Sequence, residues 1–191
     1  MATTSRTKLV PIIVVAVGMI VVQSYQPLLE FDRQLILSGE LWRLLTCHFV
    51  HTNNAHMWLN LLAALVLYIC LSPIGTTSEF YRATTALAFS LGLLLLLYPI
   101  LDWYNGLSGL LHALVAYYGV RFWREKNRLF RFALVAVWAK VTIETLSVYL
   151  GDQYMVGNMR VVTESHFLGV LAGTLAGCGF VNHQQSRKTP K

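Results

Sequence analysis

Charge is missing from long stretches of this chain, and that constrains its fold more than any motif does. Apolar runs alternate with short polar segments that hold nearly all of the Lys, Arg, Asp and Glu. This is the signature of a polytopic membrane protein, in which each run long enough to cross hydrocarbon is a helix. Composition agrees. Of 191 residues, 55% are hydrophobic and 13% charged, which departs from an ordinary soluble domain. The formal net charge of +6 would suit a nucleic acid or an anionic surface. However, the basic residues sit between apolar runs, which is a topology signal, and no nucleic-acid partner is expected. The three cysteines, Cys47, Cys70 and Cys178, are odd in number, with the last two inside apolar runs. They argue against a disulfide framework, there is no metal-ligand spacing, and no metal or cofactor is expected.

The fold class expected is therefore an all-α membrane protein, a bundle of six transmembrane helices at about 9–24, 54–71, 84–101, 108–120, 132–150 and 164–181. One domain covers 1–183, and 184–191 form a basic tail. The first run follows Arg6 and Lys8 like a signal peptide, but Gln23-Ser24-Tyr25-Gln26 offers no small-x-small cleavage site, so it reads as an uncleaved span. The long connection that follows, to about 51, is semi-apolar and is expected to lie partly in the interface. Six spans put both termini on one side. The basic N-terminus, the Arg121–Arg131 cluster and the basic tail share that side, so the positive-inside rule places both termini in the cytoplasm.

Within this frame one octapeptide stands out, Asp102-Trp103-Tyr104-Asn105-Gly106-Leu107-Ser108-Gly109, a turn with a serine at the start of a span. Alone it reads as a small-residue packing point. Counting helical rise changes its weight. Ser108 lies about 20 Å from the cytoplasmic boundary near Arg121, and His166 about 24 Å from one near Asn182. His56 and Asn60 lie about 24 and 18 Å from one near Ser72. Polar side chains of three helices thus share a level in the outer leaflet, where they are costly unless they face one another or water. His56 and Asn60, four apart, share a face. His166, Gly169, Gly173 and Gly177 form a stripe of close helix approach, and Gly109, Ala113 and Ala116 offer a matching small face. Packing those faces carries His166 toward Ser108.

Such a set suits acyl transfer. A serine hydroxyl becomes a useful nucleophile when an imidazole takes its proton. Ser108 and His166 supply that pair. Donors for the tetrahedral oxyanion are expected from His56, Asn60 and the backbone N–H groups at Ser108, where the helix start adds a positive dipole end. Glu164, two positions from His166, points elsewhere, so the expectation is a dyad with no carboxylate on the histidine. Lys140 and Glu144 read as an ion pair facing the bundle and not as catalytic groups. Taken singly, each polar residue reads first as a satisfied interhelical hydrogen bond; the joint pattern is what favours a site.

The pattern resembles the rhomboid intramembrane serine proteases. Trp42-Arg43, His51, His56 and Asn60 fall in that family's order, Gly106-Leu107-Ser108-Gly109 matches its Gly-x-Ser-Gly, and Ser165-His166-Phe167-Leu168-Gly169 matches its final-helix histidine motif. The resemblance implies Ser108 as nucleophile, His166 as general base, His56 and Asn60 as oxyanion-hole side chains, and Arg43 as an organiser of the first outer loop. His112 stands where many rhomboids carry an aromatic residue on which the imidazole stacks. The minimal six-span form and the Asn105–Ala113 run look most like the rhombosortase branch, which is associated with removing C-terminal Gly-Gly-type anchors from exported bacterial proteins. The partners so implied are single-span membrane substrates in a lipid bilayer, at the inner membrane, with the site opening to the periplasm. The alternatives are a catalytically inactive rhomboid relative that binds membrane helices, and a small transporter. The second would show internal repeats, which the sequence lacks.

Overall fold

A computed structural model describes the backbone of residues 3–71, 76–123, 128–152, 155–156 and 159–186. The Ser72-Pro73-Ile74-Gly75 turn, the 124–127 part of the basic cluster and the basic end from Arg187 onward lie outside the described residues. The chain divides into two compact units, Met1–Leu107 and Ser108–Lys191.

The first unit begins with α1 (Thr3–Val22). The connection after it is not an open loop. It folds into short helices α2 (Gln26–Leu29), α3 (Arg33–Leu37) and α4 (Arg43–Thr46), with β1 (Phe31–Asp32) between the first two. Two long helices follow, α5 (Asn54–Leu71) and α6 (Thr77–Leu97). The expected third span starts seven positions early, at Thr77 instead of 84. The cause is local: the Thr76 hydroxyl accepts from the Glu79 N–H while the Glu79 carboxylate accepts from the Thr76 N–H, a capping box that nucleates the first turn. At the other end the Arg33 guanidinium donates to the carbonyls of Leu95 and Leu96, in the last turn of α6 where intrahelical donors run out, and to those of Tyr98 and Leu101 just beyond it. After α6, β2 (Trp103–Tyr104) pairs antiparallel with β1, Phe31 opposite Tyr104. Phe31, Ile36, Val50, Leu91, Leu95 and Tyr104 of this unit are each buried.

The second unit holds α7 (Ser108–Arg121), α8 (Arg128–Tyr149) and α9 (Thr163–Ser186), with a two-residue pair, β3 (Met155–Val156) and β4 (Met159–Arg160), before α9. A Cβ at Gly169 would collide with the carbonyl oxygen of Gly109, and one at Gly173 with that of Ala113. The glycines are therefore what lets α9 lie directly on the α7 backbone. α8 closes the unit through Val137 and Val141, which pack with Ala116 and Val170, and Trp138 Nε1–H donates to Thr174 Oγ1 at 3.2 Å.

Three helices are long and apolar enough to cross a membrane among the described residues: Asn54–Leu71, Thr77–Leu97 and Thr163–Val181. α7 has 14 residues, about 21 Å of rise, short of the ~30 Å hydrocarbon thickness. α8 is 22 residues long but carries Arg128, Arg131, Lys140 and Glu144. The outward surfaces of α5 and α8, with Trp58, Leu62, Val66, Ile69, Phe132, Val135 and Ile143 exposed, are what lipid and not water would solvate.

Candidate active site

In the second unit the first residue of α7 is Ser108, and its Oγ lies 2.9 Å from Nε2 of His166 in the first turn of α9. The close contact at Gly169 and Gly173 sets this distance, because it fixes the separation and register of the two helices one turn away. His166 and the adjoining Ser165 are buried.

The other ring nitrogen of His166 meets a carboxylate. Nδ1 lies 2.9 Å from Glu144 Oε2 of α8, while Glu144 Oε1 accepts from Lys140 Nζ at 2.6 Å. The expectation of a histidine without a carboxylate is therefore corrected. The ion pair between Lys140 and Glu144 is present, but it occupies one carboxylate oxygen and leaves the other for the imidazole. The Glu144 side chain is 2% exposed and that of Lys140 43%. The pair thus presents its anion inward to the histidine and its cation outward. An ionised carboxylate only accepts, so Nδ1 carries the proton and Nε2 is left to accept from the Ser108 hydroxyl. Lys140 Nζ also stands 3.4 Å from Nδ1. In this tautomer both are donors, and what joins them is the carboxylate that each one meets.

His112 covers one face of the His166 ring, with centroids 4.2 Å apart and planes 15° from parallel. Its Nδ1–H donates to the Ser108 carbonyl at 2.7 Å, one turn back along α7. His112, Glu144 and His166 bring potential metal-ligating atoms within 4.8 Å of one another. Stacking runs the in-plane lone pairs of the two imidazoles side by side instead of converging them on one ion, so this trio is a poor match for tetrahedral coordination.

The remaining expected residues belong to the first unit. His56 and Asn60 lie on α5, four apart. The His56 ring packs edge-on against His51, centroids 4.9 Å apart, and against Gly106, where a Cβ would come within 2.8 Å of Cε1. Gly106 has φ +124°, a conformation that only glycine adopts without strain, and its N–H donates to the Cys47 carbonyl at 3.0 Å. His51 Nε2 accepts from the Leu107 N–H at 3.3 Å. Asn60 is buried, and its Nδ2 has no hydrogen-bond partner among the described residues. Buried Arg43 donates to Glu40 and to the carbonyls of Pro27 and Glu30, at 2.7, 3.0 and 2.8 Å, binding the loop of short helices to itself.

Glu144 is the residue whose contact the sequence reading missed. The signal was available: twelve positions from a boundary at 132 is about 18 Å, near the rise counted for Ser108, and an ionisable group at that depth is a site candidate.

The sequence profile of the Rhomboid domain matches residues 38–183. Among curated proteins no relative matches.

Proposed function

The chain belongs to the rhomboid family, whose members are intramembrane serine proteases, and from that premise we propose that it cleaves membrane-anchored proteins with Ser108 as nucleophile and His166 as general base. The observation that carries this is the 2.9 Å separation of Ser108 Oγ from His166 Nε2 at the start of α7. As Ser108 attacks the scissile carbonyl, its proton passes to His166 Nε2. The imidazolium returns it to the departing amine, and water then releases the acyl group by the reverse sequence. The open N–H groups of the first turn of α7 face developing negative charge favourably. In this reading His56 and Asn60 also serve the oxyanion. The buried Nδ2 of Asn60, without a partner among the described residues, supports that role, since a donor left open in the interior costs about 1–3 kcal/mol unless something uses it.

The same reading takes the short α7 as a span that begins below the outer surface. It counts six spans with both termini cytoplasmic in an inner membrane, and the site opening to the periplasm. The substrates are single-span proteins, and those with C-terminal Gly-Gly-type anchors fit the rhombosortase-like run from Asn105 to Ala113. Co-expression with tagged substrates, with and without such an anchor, tests it. Wild type should process the anchored substrate, whereas Ser108→Ala and His166→Ala should not. Equal processing in all three would sink the protease, and wild-type inactivity toward every anchored substrate would favour a helix-binding relative. Cleavage independent of the anchor would remove the rhombosortase assignment alone.

A further inference from the structure

Resting on the protease reading, we propose that Glu144 is a positioning residue for His166, with Lys140 as its counter-ion, so that the working unit is a serine, a histidine and a carboxylate. Three observations lead there. The carboxylate is buried and divided, one oxygen on Lys140 Nζ at 2.6 Å and the other on His166 Nδ1 at 2.9 Å. This is the one edge of the imidazole that Ser108 does not use. The division also sets the tautomer: with Nδ1–H donated to Glu144, the lone pair of Nε2 faces the Ser108 hydroxyl.

The second observation is restraint. His112 holds one ring face, and Glu144 holds the ring edge against rotation about its own axis. Stacking alone allows that rotation, and a histidine turned in its plane loses contact with Ser108. The third is charge. When Nε2 accepts the serine proton the ring becomes a cation, with Glu144 at 2.9 Å in a site that water scarcely enters. Throughout, the proton moves between Ser108 Oγ and Nε2. Nδ1 keeps its hydrogen, and Glu144 stays unprotonated.

A purely structural ion pair would look similar in a static view, and a double variant separates the two. Glu144→Leu leaves Lys140 without its partner, which could unfold the helix pair regardless of catalysis. Lys140→Met combined with Glu144→Leu removes both charges and replaces them with apolar side chains of similar size, a change that is often neutral or stabilising. Purified wild type, the double variant, Glu144→Gln and Glu144→Asp are compared for labelling of Ser108 by a fluorophosphonate, for kcat and KM on a cleaved substrate, and for apparent Tm. The double variant should match wild type in Tm and KM while kcat falls about 10²- to 10⁴-fold. Glu144→Gln, which keeps shape without charge, should fall about 10²-fold, and Glu144→Asp should recover part of the loss. Double-variant or Glu144→Gln kcat within about threefold of wild type would overturn the positioning role. Failure of wild type itself to label or cleave would instead strike the protease reading on which this one rests.

Discussion

His112 lies flat against His166 while its own Nδ1–H is tied to the carbonyl of Ser108, so one side chain joins the base to the backbone of the nucleophile. The stack is worth about 0.5–1.5 kcal/mol beyond area burial. His112→Phe should keep it and stay within about fivefold of wild-type kcat, whereas His112→Ala should lose roughly tenfold or more. Steady-state cleavage by the two variants checks this, and equal rates would show that the ring does not steady the base.

Gly169 and Gly173 are where α9 touches the α7 backbone. Gly169→Ala should therefore lower both stability, by about 1–3 kcal/mol, and activity, because any retreat of α9 widens the gap at Ser108. Gly179, also on α9, has nothing within 4 Å of a Cβ among the described residues. Gly179→Ala should leave stability and rate unchanged. Thermal unfolding in detergent, with labelling of Ser108 as the second readout, compares the pair.

Asn60 buries an amide donor with no acceptor among the described residues. If that donor is reserved for the oxyanion, Asn60→Ala should cut kcat about 10²- to 10³-fold with little change in KM. Its apparent Tm should stay close to that of wild type. A rate unaltered by the substitution would remove Asn60 from the oxyanion hole.

Acid should weaken the first unit through His48 and His51. Burial pushes His48 down to about 4, and it donates Nε2–H to the Ala88 carbonyl at 2.9 Å. Burial, with the neighbouring His56 second, pushes His51 down to about 3. Both folded values lie below the ordinary 6.5 of the unfolded chain, so between them the unfolded state binds the protons. The stabilisation is complete above pH 6.5 and is lost as pH falls toward 4 and 3. For His48 alone it is on the order of 3 kcal/mol. Apparent Tm should rise steadily from pH 4 to 7, and His48→Gln should flatten that rise. An equally steep curve for the variant would show that His48 does not titrate on unfolding.

The spacing of residues along single helices made much of this legible. Depth adds up at a fixed rise per residue, so Ser108 and His166 could be brought to nearby levels from the sequence, and their side chains do meet. Side-chain size is equally readable, and the glycines of α9 pointed to the small face of α7 that they meet. The helical folding of 26–46 was less so, because turns of four or five residues leave little periodicity to read and are held by remote contacts such as those of Arg43.

What the sequence could not supply was the azimuth of α8. An i, i+4 spacing says that Lys140 and Glu144 share a face of their helix, and it is silent about which neighbour that face meets. Rotation of a helix about its axis is decided by packing, here by Val137 and Val141 seated against Ala116 and Val170. That seating turns Glu144 toward His166. The sequence by itself determined which residues share a face of their own helix, as Gly169 and Gly173 do, since rise and period are properties of one helix. Only the tertiary structure decided that a carboxylate faces the histidine, since facing is a property of two.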